Sequence, residues 1–117
     1  MAAGAMIFEG AHVCKNPAGF LVPASEAPNL KYVGRAEATR DNQLGQDGDL
    51  TCPVRSDGAF EALNGSGADE ILKTHIGNQV FFSDDETVNL TDNTGARSAS
   101  AKLYDVRFGR PFVTVEN

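Results

Sequence analysis

The sequence predicts an all-β fold: a small antiparallel β-barrel or sandwich of short strands with at most one short helix. Several segments alternate apolar and polar residues with a period of two, as strands that bury one face do. Turn-forming residues separate these segments at short, regular intervals. The 117 residues include 12 glycines and 5 prolines, a composition that suits many short strands joined by turns. This length fits a single core, and we predict an N-terminal arm or edge strand over 1–9 followed by one β domain over 10–117.

The first half of the chain is predicted as a hairpin followed by a three-stranded meander. Residues 12–15 and 20–22 form the hairpin around a turn. The meander begins with a strand over 30–39, in which one face is apolar or small: Leu30, Tyr32, Gly34, Ala36 and Ala38. Two further strands, 50–55 and 59–63, are predicted to pair through a tight turn at Asp57 and Gly58, which bring Phe60 and Ala62 onto the same core.

The second half contains the one predicted helix and four predicted strands. Asp69 is placed to cap a helix over 69–76, and Gly77 is placed to end it. The apolar residues expected to pack from this helix are Ile71, Leu72 and Ile76. The strands are predicted over 79–83, 87–90, 101–108 and 112–115. In the third of these, Tyr104, Val106 and Phe108 are expected to share one face.

Charge and cysteine content limit the function classes. The net charge of −6 argues against nucleic acid as a partner, because phosphate binding needs clustered Lys and Arg. It also argues against an anionic membrane surface. No stretch has the length of a transmembrane helix, and the N-terminus lacks the basic and apolar regions of a signal peptide. Two cysteines are too few for a disulfide framework, so we expect free thiols in a reducing cytoplasm.

No metal site or cofactor is predicted. Four residues could in principle make a zinc site: His12, Cys14, Cys52 and His75. Their spacings match no familiar zinc pattern, so we expect two buried thiols and two ordinary histidines. The acidic runs 47–49 and 84–86 do not fit an EF-hand loop, and the prediction there is polar turns rather than calcium sites.

The chain is not predicted to be an enzyme. Neither histidine lies beside a Gly-x-Ser-x-Gly elbow, and the phosphate-loop and dinucleotide glycine patterns are absent. An enzyme that uses Cys14 or Cys52 as its nucleophile is the weaker alternative, which thiol reactivity would test.

Several segments resemble the small capsid decoration, or cement, proteins of tailed phages and prophages. The resemblance covers roughly residues 11–106, and its motifs are structural. The segments are GFLVPA at 19–24, LKYVGRAE at 30–37, DN at 41–42, GDLT at 48–51, VR at 54–55, GAFE at 58–61, IGNQVFF at 76–82 and TVNLT at 87–91. It implies a protein that binds the major capsid protein of the mature, expanded head and stabilises that lattice. It further implies a homo-oligomer, with a trimer favoured over a dimer, made in the host bacterial cytoplasm and placed on the outer capsid surface of the virion.

Two sets of residues are candidate contacts. For the capsid, we predict Ala5, Met6, Ile7 and Phe8, as an arm that adds to a sheet edge on the shell; the alternative is that they form the domain's own edge strand. For the oligomer interface, we predict three apolar residues on faces that would otherwise be exposed to water: Val33, Phe81 and Phe112. The competing function is a cytosolic β-barrel adaptor with a groove for a peptide or small ligand.

Overall fold

The computed structural model describes residues 1–116 and has the predicted all-β fold, in a sandwich-like form without a closed barrel. Asn117, the last residue of the predicted 10–117 domain, lies outside the described residues. The strands are β1 Met6–Ile7, β2 His12–Lys15, β3 Leu21–Pro23, β4 Lys31–Ala36, β5 Arg40–Asp41, β6 Val54–Arg55, β7 Phe60–Glu61, β8 Leu63–Asn64, β9 Gln79–Phe82, β10 Thr87–Asn89, β11 Ser100–Arg107 and β12 Arg110–Thr114.

These strands make two sheets and a ribbon. The small sheet has the order β3-β2-β4-β6 and is antiparallel throughout. The large sheet has the order β7-β12-β11-β9-β10-β8, with β8 parallel to β10 and every other pair antiparallel. Strands β1 and β5 form a separate two-stranded ribbon, which we call the N-terminal ribbon.

The small sheet is the middle layer and is buried on both faces. On one face Cys14 and Tyr32 pack with Phe82 and other residues of the large sheet. On the opposite face Val13 packs with Ile7 of the N-terminal ribbon. The N-terminal residues therefore cover a sheet face that would otherwise be exposed to water.

A β-bulge in β4 makes the predicted single apolar face of residues 30–39 wrong. Cys14 pairs with Tyr32 while Val13 pairs with Gly34, so Val33 is an extra residue on β4. A bulge of one residue moves the following side chains to the other face of the strand. Tyr32 consequently packs against the large sheet, whereas Ala36 packs beneath the ribbon.

The predicted meander is also wrong, because its second and third strands belong to different sheets. The second strand is reduced to β6, which pairs with β4, and β7 pairs with β12 instead of β6. The bend that contains Asp57 and Gly58, where Gly58 has a φ of +92°, carries the chain from one sheet to the other. Phe60 and Ala62 are buried as predicted.

The predicted helix over 69–76 is replaced by two 3₁₀ helices, Gly67–Asp69 and Lys73–His75. The break lies at Ile71, whose backbone N–H and C=O both bond to the Asn64 side chain, at 2.8 and 2.9 Å. Ile71 is buried, but Leu72 is 50% exposed and Ile76 is 46% exposed. No helix in residues 1–116 is long and apolar enough to cross a membrane.

A second bulge, in β11, makes the predicted alternation of this strand wrong. Leu103 pairs with Val113 and Asp105 pairs with Phe112, which leaves Tyr104 as the extra residue. The three residues predicted to share one face do not share it, because Val106 is buried whereas Tyr104 is 59% exposed and Phe108 is fully exposed.

Candidate interaction surfaces

The N-terminal segment is hydrogen-bonded to the rest of the fold along its length. The Met1 ammonium group donates to the Leu50 carbonyl at 2.7 Å, and Ala2 N–H donates to the Leu21 carbonyl at 2.9 Å. The buried Asn42 side chain donates to the Ala2 carbonyl at 2.9 Å, and its backbone N–H donates to the Ala5 carbonyl at 2.8 Å. In this structure the segment is therefore a fixed part of the domain surface.

The four predicted capsid-binding residues differ in what they present to a partner. Ala5 and Ile7 are buried, Met6 is half-buried and Phe8 is 55% exposed. Beyond the other end of the ribbon, the turn that Asn42 opens exposes the whole Leu44 side chain. We call Met6, Phe8 and Leu44 the ribbon surface. A capsid contact here stays a prediction, and the ribbon surface can make it without unfolding.

Phe108 is the tip of the β11–β12 hairpin and projects into solvent. Arg107 pairs with Arg110, so the hairpin loop consists of Phe108 and Gly109. Their φ values are +53° and +75°, the signs that a type I′ turn requires. This turn normally holds Asn, Asp or Gly at its first central position, and a bulky residue with positive φ is an outlier.

Polar contacts hold this hairpin tip to the body of the domain. Asn64 donates to the Gly109 carbonyl at 3.1 Å. Arg107 donates to Asp105 at 2.9 Å, and the Lys73 ammonium lies 3.7 Å from the same carboxylate. The hydrogen bond from Arg107 is the main reason that the pKa of Asp105 lies below its usual value. These contacts therefore hold the backbone that carries the exposed Phe108 ring in place.

An open hollow lies at the other end of the same hairpin. Its volume is about 410 Å³. It is lined by the chain segment between the two sheets and by the base of the hairpin: Ser56, Asp57, Gly58, Ala59, Tyr104, Thr114 and Val115. We call this the Tyr104 hollow. Tyr104 lines it because it follows the inward-facing Leu103 and therefore faces outward, next to the Ser56–Ala59 bend.

The three predicted oligomer residues are all half-buried but do not form one patch. Phe81 and Phe112 lie between inward-facing neighbours of the large sheet and therefore face outward. The Arg107 guanidinium covers part of the Phe112 ring at 5.3 Å from its centroid. Val33 is the bulge residue of the small sheet and packs against the cluster beneath the ribbon. An interface through these residues stays a prediction.

His12 has a structural environment, and both ring nitrogens have partners. Its Nε2 lies 3.1 Å from the Glu61 carbonyl, which can only accept, so Nε2 carries the proton and donates. The Nδ1 then accepts from the Tyr32 hydroxyl at 2.9 Å. Burial lowers the pKa of His12 to about 4. The ring borders a hollow of about 250 Å³, yet no nitrogen is left to act as a base or ligand.

The four residues weighed as a zinc site are not brought together. Cys14 lies between the two sheets, whereas Cys52 lies beneath the ribbon, on the opposite face of the small sheet. Both thiols are free and buried. Burial raises the pKa of Cys14 to about 12 and also raises the pKa of Cys52, so both stay as weakly nucleophilic thiols near neutral pH. Residues 1–116 contain no group of three or more side chains arranged to hold a metal.

The sequence analysis did not identify Leu44, Tyr104 or Phe108 as exposed apolar residues. Leu44 is the one large apolar residue in a polar loop, and this pattern could have indicated an exposed apolar side chain. Phe108 precedes glycine where one strand ends and the next begins, also consistent with a two-residue turn. No local signal locates the bulge at Tyr104. No family model, curated protein or solved structure matches the chain.

Proposed function

We propose that this chain is a capsid decoration protein of a tailed phage or prophage, which binds the major capsid protein on the outside of the mature, expanded head. The resemblance of its segments to that family supports the proposal. The structural observation that carries it is the ribbon surface, where the hydrogen-bonded N-terminal ribbon leaves Phe8 exposed at one end and the turn after β5 leaves Leu44 exposed beyond the other.

The ribbon surface suits repeated binding to a shell because it is already ordered. A contact that orders no further residues loses less free energy to side-chain and loop ordering on association. A protein that binds only the expanded lattice stabilises that lattice by mass action, by about 4 kcal/mol per site at a thousandfold excess over the dissociation constant. A homo-oligomer that contacts several capsid subunits gains further from effective concentration.

Co-sedimentation with shells tests the proposal. The shells are assembled from the major capsid protein of the phage or prophage that carries this gene, in expanded and unexpanded forms. The wild type is expected to bind expanded shells only. The double variant F8S/L44S is expected to bind at least tenfold more weakly, since burial of one large apolar side chain contributes about 1.5–3 kcal/mol.

The matched control is I76S, which replaces another half-exposed apolar residue away from the ribbon. It should decorate expanded shells like the wild type, and urea unfolding should show that all variants are folded. If the wild-type protein does not co-sediment with expanded shells, the proposed function is wrong. Unchanged binding of F8S/L44S would reject the ribbon surface as its site.

A further inference from the structure

Phe108 carries a conformational cost that no burial of its ring within the described chain offsets. An ordinary L-residue pays for a left-handed backbone conformation, because its Cβ approaches the following carbonyl oxygen. The Phe108 ring is also fully exposed, so it contributes no burial to the fold. Asn at the same position would suit the turn better.

The Tyr104 hollow is a receptor of suitable size and chemistry for that ring. Its volume of about 410 Å³ falls within the roughly 300–1,000 Å³ of pockets that hold small ligands. The hydrocarbon parts of Ala59, Tyr104 and Val115 line it, and part of the Tyr104 ring is exposed there. An aromatic ring placed against Tyr104 would gain from edge-to-face or offset stacking as well as burial.

Phe108 cannot enter the hollow of its own chain. The hollow includes Thr114, which pairs with Lys102 at the base of the hairpin, six residues before the tip. Even Tyr104, the lining residue nearest the tip on this strand, is four residues from Phe108, or roughly 13 Å at about 3.3 Å per residue, and the Phe108 ring is fully exposed. The hairpin is hydrogen-bonded over this length, so a second molecule must supply either the ring or the hollow.

We infer that two copies of this chain associate head to tail, with Phe108 of one copy inserted into the Tyr104 hollow of the next. The same chain carries both the projecting ring and the hollow, at opposite ends of one hairpin. Charge favours this pairing: Arg107 and Arg110 flank the ring, and Asp57, with an 88% exposed side chain, stands at the rim of the hollow. Each of these charges already has a partner in its own chain, so they orient the contact more than they strengthen it.

A contact between two different patches is heterologous, and it gives a closed ring when the rotation between copies closes. The inference rests on the homo-oligomer within the proposed function, and it names the contact that would build the ring. The bound state buries the apolar tip of every copy. A free monomer would leave it in water.

Light scattering after size exclusion, together with directed cross-linking, tests the contact. F108N keeps a residue that tolerates the left-handed turn, and A59W fills the hollow from its exposed wall. Each variant is expected to raise the dissociation constant of self-association at least tenfold, whereas I76S should associate like the wild type. Circular dichroism and urea unfolding identify any variant that is misfolded, and the cross-linking does not depend on either substitution.

The cross-linking uses single cysteines at the two ends of the proposed contact. R110C and D57C proteins, which keep the Phe108 ring and the hollow intact, are mixed and mildly oxidised, and they are expected to give a disulfide between the two variants. Neither protein alone should cross-link, because the native Cys14 and Cys52 are buried. A wild type that stays monomeric at high concentration, an F108N protein that associates like the wild type, or an R110C protein that cross-links to itself would each overturn the inference.

The shell assay separates this inference from the proposed function. An F108N monomer that still co-sediments with expanded shells supports both the contact and decoration. An F108N protein that stays oligomeric and decorates shells overturns the contact and leaves decoration intact.

Discussion

Acidification is expected to destabilise this protein through His12. The ring lies with Tyr32 and Phe82 between the sheets, with centroids 5.7 and 4.9 Å away. Desolvation by burial is the largest cause of its low pKa, which the Glu61 carbonyl opposes; Arg35 lowers the pKa further. A second proton on Nδ1 would also force the Tyr32 hydroxyl to stop donating to that nitrogen.

The sign follows from the two pKa values of His12. In the fold the pKa is about 4, below the ordinary value of 6.5, so the unfolded chain takes up the proton first as the pH falls. The contribution is fully present above pH 6.5 and is lost between pH 6.5 and about 4. At about 1.4 kcal/mol for each pH unit between the two values, the loss in the free energy of unfolding is about 3 kcal/mol.

Urea unfolding between pH 7.5 and 4.5 measures this loss. H12Q removes the titrating ring but keeps a side-chain N–H for the Glu61 carbonyl, so its stability should fall much less over the same range. H75Q, which replaces the other histidine, should follow the wild-type slope. Asp105, whose pKa is lowered, contributes a loss only below the ordinary aspartate value and so outside this window. Parallel wild-type and H12Q curves, or a native His12 that titrates near pH 6.5 by NMR, would refute the reasoning.

Two further predictions concern the packing of the middle layer, and both are measured by urea unfolding at neutral pH. In G34A the new Cβ would lie 2.0 Å from the Arg55 carbonyl oxygen, so G34A should lose about 1–3 kcal/mol more than G19A, where the φ is also positive but the space is open; equal losses would show that the approach of β6 is not tight. In I7A the free energy of unfolding should fall by about 2–5 kcal/mol because Ile7 is completely buried, whereas in F8A it should fall little. An I7A protein as stable as F8A would mean that the ribbon does not cover the sheet.

The parts of the fold that depend on local pattern were predictable from the sequence. The hairpin of β2 and β3 follows from two short strands around a turn. Strands β9 and β10 follow from alternation that places Val80, Phe82 and Val88 inward, as the structure confirms. In each case the two strands are close in sequence, so turn chemistry and a period of two are enough to specify the pairing.

The errors occur where tertiary contacts override the local pattern. The sequence between Val54 and Phe60 is typical of a hairpin turn, but β6 and β7 do not pair with each other. Instead, β6 pairs with β4, and β7 pairs with β12. The predicted helix fails because the side chain of Asn64, which lies before the predicted helix, bonds both backbone groups of Ile71 within it. The sequence identified the apolar residues, but not which neighbours would pair with them.

The exposed aromatic residues of this hairpin belong to the contact proposed between copies. Tyr104 follows the buried Leu103 and faces outward beside the Ser56–Ala59 bend, and the bulge after Leu103 brings Val106 rather than Asp105 to the core side. With Asn in place of Phe108, the hairpin would lose its projecting ring. Departures from local rules without compensation inside the fold are expected at functional positions. Phe108 is such a departure, and the proposed contact between copies would bury both its ring and the exposed ring of Tyr104.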